Sequence, residues 1–181
     1  MATIRFTAKL FKIGSWTLLQ LPKSASAKLP SRGMVMVEGT INDFGFQAPL
    51  EPDGNKGHWL KVEKNIREAS GVDEGDAVTI EIEPIKEWPE PKVPTDLKKA
   101  LTSAPTAQAT WMDITPNARW DWVRWIGSTK NSETRKKRIG VALSKMNAGN
   151  RRPCCFNRNS CTDTDVSNNG VLLEPTRTKA K

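Results

Sequence analysis

The order of apolar and polar positions divides the chain into two unlike halves. Before residue 88 the apolar side chains mostly recur at every second position, as in residues 4–10, which is typical of a strand with one buried face. After residue 95 they recur at helical spacing, and Ala118, Trp122, Trp125 and Ile126 form one stripe. The pattern predicts an α+β protein with strands first and helices second.

Six short strands are predicted in the first half, with only two short helical stretches between them. They cover residues 4–10, 16–21, 35–41, 44–50, 59–62 and 77–82. Asn42-Asp43 joins the third and fourth strands as a tight hairpin turn. Because closure of a sheet removes its exposed edges, we expect a small β-barrel domain over residues 1–87.

The first half also repeats itself weakly. Residues 19–25 align with residues 60–66, and each block precedes a helix-prone stretch, a glycine and a Val-rich strand. A strand–turn–strand unit used twice predicts a barrel with pseudo-twofold symmetry. The block at residues 66–78, Ile-Arg-Glu-Ala-Ser-Gly-Val-Asp-Glu-Gly-Asp-Ala-Val, makes the pattern similar to the double-split barrel of AbrB-like proteins. Some of those barrels bind DNA, but a fold by itself does not fix a function.

A proline-rich linker is predicted at residues 88–95, because Pro89, Pro91 and Pro94 hold the chain extended. A basic helical unit follows at residues 96–160, and residues 161–181 are expected to form a partly disordered tail.

Four helices are predicted in the helical unit, at residues 96–102, 105–111, 116–128 and 133–148. Thr95, Thr115 and either Asn131 or Ser132 supply the N-terminal caps, and Gly149 ends the last helix.

Four short strings in this unit carry a family resemblance. They are Asp-Leu-Lys-Lys-Ala-Leu at 96–101, Ile-Thr-Pro at 114–116, Trp-Asp-Trp-Val-Arg-Trp-Ile at 120–126 and Glu-Thr-Arg-Lys-Lys-Arg-Ile at 133–139. The chain resembles the YdeI/OmpD-associated family, also called bacteriocin-protection-like. Its first half resembles the domain of unknown function that often precedes this unit. The resemblance implies a bacterial cytoplasmic protein associated with resistance to antibacterial peptides, without an established reaction or catalytic residues.

The charge is unevenly distributed along the chain. The net charge is +8, yet residues 1–90 hold 11 Lys and Arg against 13 Asp and Glu, whereas residues 91–181 hold 17 against 7. Clusters of Lys and Arg bind phosphate, so the second half is a candidate for binding nucleic acid or an acidic protein. The alternatives are a solvated helix face or attraction between the two halves. The candidate residues for anion or nucleic-acid binding are Arg135, Lys137, Arg138, Lys145, Arg151 and Arg152.

Arg135 differs from its neighbours on the predicted helix, because it falls within the apolar arc, whereas Lys137, Arg138 and Lys145 fall outside it. A buried guanidinium needs an anionic partner. Asp113 and Asp121 are the nearest candidates in sequence, and a bound ligand is the alternative.

Trp120 and His58 are further candidates for an interdomain or ligand contact. Trp120 lies off the apolar stripe, whereas Trp122 and Trp125 lie on it and are expected in the core; stacking on bases is the alternative. His58 follows a Gly-rich loop, where it either helps to hold a ligand at the barrel mouth or lies at the surface.

Metal binding and familiar enzyme chemistry find little support in the sequence. The spacing of Cys154, Cys155 and Cys161 matches no common zinc pattern, so these cysteines are expected to pack or to lie in a loop, with redox sensitivity as the alternative. There is no P-loop, GxGxxG or GxSxG motif, and no apolar run long enough for a transmembrane helix. Neither a cofactor nor a membrane span is expected. Three cysteines cannot all pair within one chain, which fits a reducing cytoplasm.

The sequence thus favours a non-catalytic cytoplasmic binding protein. The alternative is a small-ligand binder or an enzyme that uses a pocket between the barrel and the Trp-rich helix.

Overall fold

The computed structural model of the protein describes residues 2–153 and 163–176. The chain forms two compact units, one of residues 1–86 with 165–181 and one of residues 87–164. We call them the barrel unit and the helical unit. The first is a curled antiparallel sheet and the second is built from helices, so the predicted α+β class is confirmed.

The barrel unit holds seven strands and two short helices along residues 1–86. The strands are β1 Ile4–Lys9, β2 Phe11–Ile13, β3 Trp16–Gln20, β4 Val35–Ile41, β5 Phe44–Pro52, β6 His58–Lys61 and β7 Ala77–Pro84; the helices are α1 Lys23–Ser26 and α2 Lys64–Ser70. The six predicted strands are present, and β2 is additional. Asn42 and Asp43 have φ values of 43° and 69°, which gives the tight turn predicted between β4 and β5.

The sheet runs in the order β1-β7-β4-β5-β6-β3-β2, and all of its pairs are antiparallel. The strands at its two ends, β1 and β2, are consecutive in the chain with only Leu10 between them. They act as one bent strand that pairs with β7 at one end and with β3 at the other. In this way the chain itself joins the ends of the curled sheet.

The internal repeat reappears as symmetry in the strand pairing. The equivalent strands β3 and β6 pair with each other, and so do β4 and β7. Leu19 lies directly opposite Leu60, its counterpart in the repeat. β5 pairs with β4 and β6 as the bent β1–β2 strand pairs with β7 and β3. The strand–turn–strand unit is therefore used twice around a pseudo-twofold axis.

The core of the barrel unit lies inside the curled sheet. Alternate residues of each strand point inward, and Ile4, Leu19, Leu50, Leu60 and Ile80 are all buried there. β3 and β6 are also apolar on their outer face, where Leu18 and Trp59 belong to a second buried cluster.

A hairpin near the C-terminus covers this second cluster. It consists of β8, Ser167–Asn168, and β9, Val171–Leu172, and it belongs to the barrel unit. We call residues 165–176 the C-terminal strap. The sequence suggested a tail here because the segment has little periodicity, but its order comes from contacts with the distant strands. The rest of the expected tail, residues 161–162 and 177–181, lies outside the described residues.

The described part of the helical unit, residues 87–153 and 163–164, contains four helices: α3 Thr95–Thr102, α4 Pro105–Asp113, α5 Pro116–Gly127 and α6 Ser132–Asn147. Thr115 caps α5 by accepting a hydrogen bond from the Ala118 N–H at 3.2 Å, as predicted. Thr95 was predicted to cap α3, but it is the first helical residue and Pro94 precedes it as the cap without a side-chain hydrogen bond.

One core joins these helices. Its centre is the fully buried Trp122 of α5, and Leu97, Ala107, Ile126 and Met146 contribute from the four helices. α6 packs against α3, α4 and α5. Among the described residues, no helix has the length and apolar character needed to cross a bilayer.

Part of the proline-rich segment packs on the helical unit. The Trp120 indole N–H donates to the Pro89 carbonyl at 2.8 Å, and Arg119 pairs with Glu90. Pro91 is buried. The segment is therefore held by side chains of α5 as well as by the stiffness of its prolines.

Candidate functional site

The predicted anion-binding residues start on α6, whose N-terminus is fixed by Asn131. The Asn131 side chain accepts a hydrogen bond from the Thr134 N–H at 3.0 Å. Ala142 and Met146 are buried on one side of the helix, whereas Lys136 and Lys137 are exposed elsewhere on its surface. Cap and core together set which α6 side chains are available to a partner.

Arg135 binds a carboxylate, but not either of those nearest in sequence. Its Nε lies 2.7 Å from Asp96 Oδ2 and its Nη2 lies 3.0 Å from Asp96 Oδ1, a two-pronged pair between α6 and α3. The expectation of Asp113 or Asp121 was wrong, because the packing of α3 on α6 brings Asp96 closer. The hydrogen bonds from Arg135 lower the pKa of Asp96, and the same bonds raise the pKa of Arg135.

The Arg135–Asp96 pair is only partly shielded from water. The side chains are 28% and 47% exposed, respectively. Arg135 therefore lies at the edge of the apolar arc rather than inside the core, and its charge is compensated by Asp96. Two of its five guanidinium N–H donors bind Asp96, so Arg135 is a structural cross-tie between α6 and α3.

Arg138 was predicted to face solvent or phosphate, and this is wrong for its guanidinium. Nη1 donates to the Trp125 carbonyl at 2.6 Å and to Ser128 Oγ at 2.7 Å. The guanidinium carbon also lies 5.5 Å from the centre of the Trp125 ring. A cation at the end of α5 binds carbonyl oxygens that the helix itself leaves without donors.

Arg151 and Arg152 tie the segment after α6 to helices α4 and α5. Arg151 Nη1 lies 2.6 Å from Asp113 Oδ2, and its Nη2 donates to the Asp113 carbonyl at 3.1 Å. Arg152 pairs with the buried Asp121, and its Nη2 lies 3.0 Å from Asn117 Oδ1. The two carboxylates expected for Arg135 thus bind these two arginines.

The lysines remain as the outward-facing part of the predicted set. Lys137 and its neighbour Lys136 are exposed, and Lys145 is partly exposed. Residues 87–164 contain 14 Lys and Arg but only 7 Asp and Glu. Because arginines bind the Glu90, Asp96, Asp113 and Asp121 carboxylates, the surplus positive charge on α6 is presented by lysine. We call Lys136, Lys137 and Lys145 the lysine surface.

Trp120 and His58, the candidates for an interdomain or ligand contact, have polar partners within their own units. Trp120 binds Pro89, as described above. His58 is not at the surface: it is 1% exposed, and its Nε2 lies 2.9 Å from the Gly33 carbonyl oxygen. Burial lowers the pKa of His58, although Gly33 and the charge of Asp53 oppose that shift.

The neighbouring tryptophans pack in the core of the helical unit, Trp122 fully buried and Trp125 partly buried against it. Trp122 is fully buried and Trp125 packs against it edge-on, with ring centres 6.1 Å apart. The predicted roles of Cys154, Cys155 and Cys161 fall outside the described residues. Within residues 2–153 and 163–176, no group of three His, Cys, Asp or Glu side chains could hold a metal ion.

A cleft in the barrel unit was not predicted from the sequence. It has a volume of about 810 Å³ and lies between the β1–β2 bend and the C-terminal strap. Its lining combines polar and apolar side chains, including Lys9, Phe11, Gln20, Asp53, Leu173 and Glu174. No local motif indicates this cleft, because one wall comes from residues more than 150 positions away from the other.

The fold places this chain in a class of two-unit proteins, in which a curled barrel is followed by a basic helical unit. Residues 90–149 match the model of the bacteriocin-protection, YdeI or OmpD-associated family, and residues 6–82 match the domain of unknown function DUF1905. The helical unit thus matches the YdeI/OmpD-associated family model, and the barrel unit matches that of a domain of unknown function. The resemblances to the YdeI/OmpD-associated family and to the domain of unknown function before it are confirmed. No curated protein matches the chain.

Proposed function

We propose that the protein is a non-catalytic binding protein whose lysine surface holds an anionic partner, with nucleic acid as the partner to test first. The observation that carries this proposal is that the arginines and the lysines of the helical unit have different partners. Arg135, Arg151 and Arg152 bind carboxylates of the unit, while Lys136 and Lys137 are exposed on α6. The family name associates such units with bacteriocin protection, and an anionic partner is the chemistry that this surface suits.

The proposed contact is with phosphate groups rather than with bases. Lysine ammonium groups are compact charges on flexible stems, so they bind phosphate without fixed geometry. Sequence reading in the major groove relies on bidentate contacts from Arg, Asn or Gln. On α6 the arginines Arg135 and Arg138 are already bound within the unit. We therefore expect similar affinity for different sequences.

A salt titration with a labelled duplex and a labelled single strand tests this function. The variant is Lys136→Glu with Lys137→Glu, and the matched control is Lys23→Glu with Lys28→Glu on exposed positions of the barrel unit. Both double variants change the net charge equally. Each lost phosphate contact removes about 0.9 from the log–log salt slope on duplex DNA, so the α6 variant should lose roughly 2.

Two results would contradict the proposal. One is the absence of binding to either probe at low salt. The other is an equal loss of slope in the control variant, which would mean that net charge alone governs binding. Arg138 is left unchanged in this design because its contacts with Trp125 and Ser128 hold the end of α5.

The second candidate function is a small-ligand binder or an enzyme, and the cleft of the barrel unit is the observation that favours it. A cleft of about 810 Å³ with mixed polar and apolar walls has the size of a small-molecule site. Binding in this cleft should depend weakly on salt, in contrast to the steep dependence expected for the lysine surface. A screen by thermal shift at low and high salt separates the two functions.

A further inference from the structure

The outer face of the barrel carries an apolar surface that a free-standing strand pair would expose. On β2 and β3 the outward side chains include Phe11, Ile13, Trp16 and Leu18, and on β6 they include Trp59. Ile13, Leu18 and Trp59 are buried although they point away from the barrel interior. Something must therefore cover them, and in this chain the cover is the C-terminal strap.

The strap forms hydrogen bonds with main-chain groups of the barrel. The Leu172 N–H donates to the Asp53 carbonyl at 3.0 Å, and the Thr176 N–H donates to the Lys12 carbonyl at 2.7 Å. The Gly14 N–H donates to Thr176 Oγ1 at 2.8 Å. Main-chain hydrogen bonds combined with a few apolar side chains are the usual way in which a protein surface recognises an extended peptide.

Two side chains of the strap complete the apolar cluster. Val166 is fully buried and Leu172 is partly buried against the same residues of β2, β3 and β6. The strap strands β8 and β9 pair only with each other, within the described residues, and add nothing to the barrel sheet. The strap can therefore leave without breaking a strand pair of the barrel.

Gly54 makes the close approach of the strap possible. A Cβ atom at this position would lie 2.7 Å from the Gly170 carbonyl oxygen and 2.8 Å from Val171 Cα. Its φ of 81° also favours glycine. The barrel side of the contact is thus shaped for a backbone that lies directly against it.

We propose that the outer face of β2, β3 and β6 is a peptide-docking surface, and that the strap of a second copy of the chain occupies it when the copies exchange straps. The strap is the occupant whose fit is known in detail, and an identical strap would make identical contacts from another molecule. The attached strap has a high effective concentration, so exchange requires a high protein concentration. This inference is independent of the lysine surface.

The test uses a fluorescent peptide of residues 163–176 and the full chain. Wild type is compared with Leu172→Asp, which removes an apolar contact of its own strap and frees the surface. We expect the variant to bind the peptide at least tenfold more tightly than wild type. A second variant, Thr176→Pro, removes the N–H that binds Lys12 and the hydroxyl that accepts from Gly14, without changing the apolar cluster, and it should also bind the peptide more tightly than wild type.

Leu172→Asp and Thr176→Pro are called the released variants, because each weakens the attachment of the chain's own strap. Gly54→Ala, combined with each of them, should abolish peptide binding. Gly71→Ala is the matched control, because Gly71 has a similar φ of 68° and a Cβ added there would meet no atom within 4 Å. Circular dichroism establishes that each variant is folded. The docking surface is disproved if both folded, released variants fail to bind the peptide, or if Gly54→Ala binds as well as Gly71→Ala.

Exchange between copies is measured on wild type carrying two different tags. After mixing at high concentration and dilution, one tag should capture the other, and light scattering should detect dimer. Gly54→Ala should eliminate this capture, whereas Gly71→Ala should retain it. Wild type that remains monomeric and exchanges no tag at any concentration would overturn the second-copy assignment.

Discussion

Different kinds of bond stabilise the barrel unit and the helical unit, each within itself. In the barrel, neighbouring strands share main-chain hydrogen bonds, and an ion pair such as Arg5–Glu81 lies at the surface, with side chains 70% and 40% exposed. Helices satisfy their main-chain groups internally, so separate helices have to be joined by side chains. In the helical unit, apolar packing and arginine–carboxylate pairs do this.

This difference explains why so many arginines of a basic unit are already paired with carboxylates of the same unit. Arg135 joins α6 to α3, Arg151 joins the following segment to α4, and Arg152 joins that segment to α5. A guanidinium suits such ties because its planar, forked donors match a carboxylate. The composition of a helical unit therefore overstates the positive charge that is available to a partner.

The largest expected effect tests whether each unit depends on its own core. Trp122→Ala removes the largest fully buried side chain and should destabilise the helical unit by roughly 3–5 kcal/mol. Calorimetry should show one transition moved to lower temperature while the transition of the barrel unit stays in place. Leu19→Ala in the barrel core is the reciprocal variant. A single transition that moves in both variants would mean that the units share their stability.

The next effect measures the side-chain ties. Because the Arg135–Asp96 pair is partly exposed, Arg135→Ala should cost about 1 kcal/mol, less than the roughly 3–5 kcal/mol of a fully buried pair. Lys137→Ala, at an exposed site, should cost under about 0.5 kcal/mol. Denaturant titration at neutral pH gives both values. Equal losses would show that the tie contributes nothing specific.

The same pair has an expected pH dependence. The folded-state pKa of Asp96 is lowered, so its contribution is complete above the ordinary value of 3.8 and is lost as the pH falls through the folded-state pKa. The difference in stability between wild type and Arg135→Ala should shrink in that acidic range. An unchanged difference there would exclude the ionised pair as its source.

The smallest expected effect belongs to the barrel and comes from His58. Burial lowers its folded-state pKa, so the folded state binds fewer protons than the unfolded state as the pH falls below the ordinary value of 6.5. The melting temperature of wild type should therefore drop between pH 7 and pH 5. His58→Gln retains a donor for the Gly33 carbonyl but does not titrate. Its melting temperature should therefore drop less than that of wild type over the same pH range. Parallel curves would rule out this role of His58.

The strands were predictable because their pattern is local. The alternation in residues 4–10, the Asn42-Asp43 turn and the repeat around Leu19 and Leu60 each depend on neighbouring residues. The caps at Thr115 and Asn131 were predictable for the same reason. In the candidate site, the exposure of Lys137 agrees with the helical wheel, because Ala142 and Met146 fix which side of α6 is buried.

Local patterns in the amino-acid sequence were enough to establish six strands of the barrel, the helices of the helical unit, the Asn42-Asp43 turn, the caps of α5 and α6, and the family resemblance of each unit. Long-range packing established that Arg135 binds Asp96, that Arg138 binds the end of α5 and that the strap covers Leu18 and Trp59. The physical reason is range. Periodicity and capping act over a few residues, whereas these partners lie between 10 and more than 100 positions apart and meet only after the strands and helices have packed.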